Sequence, residues 1–308
     1  MSHTPLCSKD CNIKHHDVVT SLQAVAPRFN SSGSNDSFPG PVRATRGNNK
    51  EDFKKHVQKL VSEGWSKDKE VPEPFQLLKL PLLHLASMFG KHEVVEWLLN
   101  EEGYDAKLQT SISGETALHL VARHLYTALS PSGSRLENMS ITAKVANFER
   151  VVSLLIEKEV SLFWAKDEVN RETPFHILAK QLLQASSGFV DGELEKEDLC
   201  LSFFSNSLDV TLKLMLAEEK TRLNRRDVKH ALSIKNSEGN TALHYLAQAF
   251  RHGFLVLRFL VKSLGNNDLL KIKNSSGLSA IDIVNQVYPG HEKDLLIDEE
   301  GRCTAPNS

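Results

Sequence analysis

Apolar positions return at helical spacing once the chain passes residue 50. Phe53, Val57, Leu60 and Val61 share one face of EDFKKHVQKLVSEG, and Gly64 closes the run. This predicts a lone helix docked on the chain downstream of it, with Pro72 and Pro74 in a linker. Beyond them the apolar runs come in pairs. The short runs LASMFG, LVARHL, ILAKQL and YLAQAF are each followed by a longer amphipathic one: HEVVEWLLN from His92, FERVVSLLIEK from Phe148, LDVTLKLMLAEE from Leu208 and FLVLRFLVKSL from Phe254. A fifth short run, IVNQV, has no such second member. The flanks read differently. Residues 1–50 contain NSSGSNDSFPGPVRATRGNN, too poor in apolar residues to offset the entropy of ordering it, so a disordered tail is expected. Residues 288–308 are expected to form a mobile tail.

One tetrapeptide opens each pair: Pro81-Leu-Leu-His84, Thr116-Ala-Leu-His119, Thr173-Pro-Phe-His176 and Thr241-Ala-Leu-His244, with Ser279-Ala-Ile-Asp282 as a weaker fifth. Gly114, Gly239 and Gly277 stand two residues ahead of the Thr or Ser. Glycine supplies the positive φ of a hairpin tip, Thr caps a helix start, and Pro174 suits a first helical turn. These residues resemble the ankyrin repeat, whose hallmark is G-x-T-P-L-H at the start of a helix pair. The resemblance spans roughly residues 77–287. It implies an all-α solenoid of about four repeats plus a partial fifth, capped at its N-terminus by the helix and linker of residues 51–76. It also implies that the histidines are structural, bonding back to the hairpin backbone and tying neighbouring repeats together.

The pattern departs from a regular array in three ways. An ideal unit is about 33 residues. The histidine spacings here are 35 (84 to 119), 57 (119 to 176) and 68 (176 to 244). Two insertions account for the excess, at about 125–147 and 183–207, each between the two helices of its repeat. Their ends are expected to extend those helices, and the apolar stretch LCLSFF at 199–204 is expected to pack against the first insertion or the second helices, the rival being an exposed binding patch. In the fourth repeat Gly253 comes nine residues after His244, and Leu243, Leu246 and Phe250 keep helical spacing, so a longer first helix is expected. In the third repeat Arg171 stands where glycine belongs, which predicts a shifted or distorted hairpin.

Composition changes this picture little. Lys plus Arg is 37 and Asp plus Glu 39, a net charge of −2, which excludes a strongly basic nucleic-acid binder. No apolar run is long enough to span a membrane, and the N-terminus lacks the apolar core of a secretory signal. Four cysteines do not make a disulfide framework, so the cytoplasm or the nucleus is expected.

Candidate chemistry is sparse. His3, Cys7, Cys11, His15 and His16 are zinc-type ligands, but ligands spaced four apart on one helix cannot surround a tetrahedral ion, so no metal or cofactor is expected. No catalytic motif is present, Cys200 sits in an apolar run, and the chain is expected not to be an enzyme. Trp97 reads as core, while Trp164 and Trp65 stand at unusual places.

The resemblance implies a non-enzymatic protein–protein interaction module, a scaffold or adaptor, binding a protein or peptide partner on its concave face as a monomer. By position that face takes in Met88, Phe89, Arg123, His124, Lys180, Gln181 and Gln248. Met88 and Phe89 are adjacent apolar residues, which suggests a buried contact with a partner or with the helix at 53–63. The rival reading is a nuclear regulator contacting chromatin or nucleic acid through the basic segment 220–230, namely Lys220, Arg222, Arg225, Arg226, Lys229 and His230. The bland alternative makes that segment a solvated helix end favoured by the carbonyl terminus.

Overall fold

The computed structural model describes residues 80–129, 141–187, 225–265 and 267–291, together with positions 51, 54, 55, 58 and 295, all within the compact unit Gly40–Ser308. The tail 1–50, most of the capping region 51–76, the insertion tips and Lys220 and Arg222 lie outside these residues.

The described chain is helical, with no strand beyond two isolated bridges, Gln109 with Thr116 and Lys273 with Ser279. Its elements are α1 (Leu82–Met88), α2 (His92–Asn100), α3 (Ala117–Leu129), α4 (Ile141–Lys158), a 3-10 turn (Val160–Phe163), α5 (Pro174–Ser187), α6 (Arg225–Ser233), α7 (Ala242–Gln248), α8 (Phe250–Leu264), a second 3-10 turn (Asp268–Lys271) and α9 (Ala280–Val287). The helices that open with the tetrapeptide stack in chain order, α1 on α3, α3 on α5, α5 on α7 and α7 on α9. Of the second helices, α2 packs on α4, and α8 packs on α5 and α7. One core runs through the stack, and Leu82, Leu83, Val95, Leu98, Leu155, Ile156, Leu246 and Leu257 are withdrawn from solvent. No unit could bury its apolar face alone, so adjacent units supply each other's core.

Hairpins precede α3, α5, α7 and α9, and a side-chain oxygen closes each. Asp167 Oδ1 accepts from the N–H groups of Asn170 and Glu172. Asn236 Oδ1 accepts from Glu238 and Asn240, and Asn274 Oδ1 from Ser276 and Leu278. Thr110 Oγ1 accepts from Glu115. Such self-bonding turns are why Asn, Asp and Thr occupy these positions. Neighbouring hairpins are also joined through backbone: Glu168 N–H donates to the Ser113 carbonyl (2.9 Å), Ser237 to Asn170 (2.9 Å) and Ser275 to Glu238 (3.2 Å).

Several expectations are corrected. The hairpin at Asp167 is not shifted relative to the one at Thr110: each closes on the carbonyl of the residue before its Thr, Thr110 N–H on Glu115 and Asp167 N–H on Glu172. Arg171 adopts the left-handed conformation itself, at φ 56°, where Gly114, Gly239 and Gly277 sit at 65°, 74° and 77°. The first helix of the fourth repeat is not long. It ends at Gln248, Ala249 turns the chain in one extended residue (ψ 109°), and α8 begins at Phe250 with Gly253 inside it.

In the insertion at 125–147 the described residues are helical, with α3 running to Leu129 and α4 from Ile141, and Leu125 and Val145 are buried. In the second insertion α5 extends to Ser187, and LCLSFF lies outside the described residues. Of the basic segment, Arg225 and Arg226 lie in the first turn of α6 as described and His230 in its last turn, while Lys220 and Arg222 lie outside the described residues. The packed chain also continues past Val287. Leu295 is helical and 1% exposed, and Tyr288 and His291 stack on Phe254 at 5.7 and 6.1 Å, because the last repeat needs a cover for its apolar face.

Candidate functional site

The hairpins and the first helices form one continuous face, held by a ladder of imidazoles. His84 Nε2 donates to the Glu115 carbonyl (3.0 Å), His119 to Glu172 (3.0 Å), His176 to Asn240 (2.9 Å) and His244 to Leu278 (3.1 Å). Each bond reaches the hairpin of the next unit. A carbonyl can only accept, so the proton is on Nε2 and Nδ1 must accept. It does so from the backbone N–H of Thr116, Thr173 and Thr241, at 3.0–3.1 Å. The Thr hydroxyls contact the same nitrogen at 2.7–2.9 Å. Burial lowers all four imidazoles, His84 and His176 to about 4. In the fifth unit Asp282 replaces the histidine and keeps the local half of the device, accepting from the Ser279 N–H and hydroxyl at 2.8 and 2.7 Å.

His84 is the exception. Pro81 has neither N–H nor hydroxyl to offer, and His84 Nδ1 is buried without a partner. An unmade hydrogen bond at a buried acceptor costs about 1–3 kcal/mol, whereas losing a proline's restraint on the unfolded chain costs about 0.4–1. The backbone at Pro81 (φ −62°, ψ 155°) is close to that at Thr241 (φ −92°, ψ 167°). Pro81→Thr is therefore expected to stabilise the protein by about 1 kcal/mol, read as a higher urea midpoint. A lower midpoint would contradict the account.

Met88, Arg123, Lys180 and Gln248 occupy one register, seven residues after the start of each tetrapeptide. Their environments differ. Met88 is buried, and Phe89 packs partly buried against the core, so Met88 is not a surface contact. Arg123 Nε donates to Glu115 Oε1 at 3.0 Å, and Nη2 contacts the same oxygen. Burial acts to raise the Glu115 carboxyl, but Arg123 outweighs it and holds it below its ordinary value. Lys180 pairs with Glu172 and lies over the Tyr245 ring, 5.0 Å from its centroid. Burial acts to lower the Lys180 ammonium, and Glu172 outweighs it, holding it above its ordinary value. Asn236 Nδ2 links Glu172 (3.2 Å) to the Tyr245 hydroxyl (2.9 Å), which donates to Glu238 Oε2 (3.2 Å). His124 is half-buried, and burial followed by the Arg123 charge lowers it to about 4. Gln181 is half-buried and Gln248 exposed.

The tips carry residues that the tetrapeptide pattern does not single out. Ile112 and Val169 are 64% and 54% exposed, each four residues ahead of its Thr, on hairpins joined by backbone bonding. The signal was present: both hairpins are one residue longer than those at Asn236 and Asn274.

A family model described as ankyrin repeats (many copies) matches residues 83–129, the span from α1 to α3 that contains the first two rungs of the histidine ladder. Residues 83–129 carry ankyrin repeats. No curated protein matches it. Among solved structures, a chain from the complex of the predatory endopeptidase Bd0816 of Bdellovibrio bacteriovorus with immunity protein Bd3460 is similar at 19% identity. That match covers 82% of this chain and 93% of the other, with a TM-score of 0.45. The ankyrin repeat domain of Bcl-3 is similar at 18% identity, covering 81% and 95%, with a TM-score of 0.33.

Ankyrin repeats generally mediate protein–protein interaction. The remaining candidates lie around this stack. In the basic segment Arg225, Arg226 and His230 are exposed and Lys229 half-buried, and His230 packs edge-on against Trp164, 5.8 Å between ring centroids. That contact explains the unusual tryptophan. Trp97 is buried under Lys54, which lies 5.6 Å from its ring and pairs with Glu101 at 2.9 Å. Among the described residues no group of His, Cys, Asp and Glu could hold a metal ion, and no helix is long and apolar enough to cross a membrane. The N-terminal Cys/His set, Cys200 and Trp65 lie outside the described residues.

Proposed function

We propose that this ankyrin stack is a binding module that docks a protein or peptide partner along the face of its hairpins and first helices. The observation that carries the reading is the exposed pair Ile112 and Val169. Single exposed aliphatic residues are ordinary on protein surfaces. Two at one register, on hairpins joined by backbone hydrogen bonds, form a platform whose ordering cost is met in the free protein. Arg123, Lys180, Gln181 and Gln248 supply a polar floor, and its two ion pairs hold the charged side chains in place.

The test is proximity labelling with the full chain and with the double variant Ile112→Glu, Val169→Glu. The expected result is an unchanged melting temperature and loss of the proteins labelled by the parent. Retention of the same set by the variant would move the binding site off this face.

A further inference from the structure

We propose that Lys166, Arg171, Lys235 and Lys273 form a cationic track across the hairpins at Asp167, Asn236 and Asn274, and that it takes an extended acidic peptide segment of a partner, whose apolar side chains rest on Val169 and Ile112. The inference deepens the interaction reading above and rests on it.

Register comes first. Each lysine directly precedes the Asp or Asn whose side chain closes the hairpin, so hairpin geometry fixes all three at one place in their units. Their surroundings repeat accordingly. Lys166 acts electrostatically on His176, Lys235 on His244 and Lys273 on Asp282, the same position in three successive repeats. Lys235, Lys273 and Arg171 are exposed, and Lys166 is half-buried.

None of the four has a carboxylate within ion-pair distance among the described residues. Lys166 Nζ donates instead to the Lys235 carbonyl, at 3.1 Å. Burial and the charge of Arg171 hold the Lys166 ammonium below its ordinary value. The contrast with Arg123 and Lys180, both paired on the same face, is direct. The acidic groups of these hairpins are engaged elsewhere: Glu172 with Lys180, Glu238 with Tyr245 and Asn240, and Asp282 with Ser279. Glu168 lies over Gly114, toward the Thr110 hairpin.

Arg171 supplies the independent observation. It is the one non-glycine residue at positive φ among the described residues. A left-handed backbone is unfavourable for an L-residue, and the other three hairpins avoid that cost with glycine. Strain of this kind persists where the side chain is used. Here it keeps a guanidinium, suited to gripping carboxylates, two residues from the exposed Val169.

An acidic peptide fits better than a nucleic acid. The exposed apolar residues on the hairpins, Ile112 and Val169, are aliphatic and offer no ring on which a base could stack.

The experiment is fluorescence anisotropy on the full chain. The probes are a labelled peptide alternating Glu and Leu, a Lys/Leu peptide and a single-stranded oligonucleotide. The Glu/Leu peptide is expected to bind saturably and to weaken with salt. Arg171→Gly is expected to weaken it about threefold to fivefold, as one exposed charge pair is worth, with a melting temperature no lower than the parent's. Lys235→Glu with Lys273→Glu is expected to weaken it further. Equal binding of the acidic and basic peptides, preference for the oligonucleotide, or full affinity in both variants would each overturn the track. If these fail while Ile112→Glu, Val169→Glu still loses labelled partners, the docking face stands and the acidic ligand falls. If that variant keeps every partner, the reading of the face falls as well.

Discussion

Gly253→Ala is expected to lower the melting temperature by roughly 5–10 °C. In an ordinary helix the same change would stabilise, since alanine is favoured over glycine by about 0.8–1.0 kcal/mol. Here a Cβ at residue 253 would lie 2.1 Å from the Leu246 carbonyl oxygen and 2.7 Å from Ala249 Cβ. The nearest obstacle is backbone, which cannot rotate aside. The cause is the one-residue turn between α7 and α8. In the first repeat the chain has three residues, Phe89 to Lys91, in which to reverse, with Gly90 at φ 66°. Ala249 alone must do it in the fourth, so the first turn of α8 presses against the last turn of α7. Overpacking a well-filled site costs about 1–3 kcal/mol, and a backbone obstacle puts this one at the upper end, which outweighs the propensity gain. For a domain of this size each kcal/mol is worth about 2–4 °C. Thermal melting followed by circular dichroism is the measurement, and an unchanged or higher midpoint would show that α7 and α8 are not in such close contact.

Stability is also expected to fall steeply as the pH drops from about 6.5 towards 4. His84, His119, His176 and His244 are buried, and burial depresses each, so the folded state holds them neutral. The unfolded chain binds their protons near pH ~6.5. Stability from this source is therefore full above that pH and is lost as the pH falls toward the folded value, about 4 for His84 and His176. Each of those two contributes on the order of 3 kcal/mol across the window, and each titrating histidine adds up to about 1.4 kcal/mol per pH unit to the slope. Domains have only about 5–15 kcal/mol in hand, so unfolding near pH ~5 is expected. The geometry gives the same sign. A protonated Nδ1 in His119, His176 or His244 would point a second donor at the N–H of Thr116, Thr173 or Thr241. Urea midpoints from about pH 8 to about pH 4.5 test this. A flat profile between about pH 7 and pH 5 would mean that the ladder accepts protons without opening. Glu115, Glu159 and Asp282, held below their ordinary values, extend the loss to lower pH.

The ladder was readable because its parts are local. Thr and His three residues apart form a capping pair wherever a helix starts between them, and the four spaced copies announce stacking. The site was less readable. Seven residues after the start of the tetrapeptide the sequence offers Met88, Arg123, Lys180 and Gln248, and position alone treats them as equivalent. They are not. Met88 is core, Arg123 is held by Glu115 and Lys180 by Glu172, because the residue before Thr is acidic in only those two repeats. The tips Ile112 and Val169 escape the pattern since they lie outside the tetrapeptide.

The sequence by itself determined the unit and its helical pairing, which follow from spacings of a few residues, and the resemblance to ankyrin repeats implied that the histidines tie neighbouring units together. Only the tertiary structure decided where α7 stops, that Arg171 takes a glycine's backbone, and which cations are left without a carboxylate among the described residues. Those outcomes depend on neighbours brought together from far along the chain, 53 residues for His119 with Glu172 and 69 for Lys166 with Lys235, and on how closely two backbones pass. A local pattern fixes which groups must be satisfied, and the packing of successive units fixes which partner satisfies them.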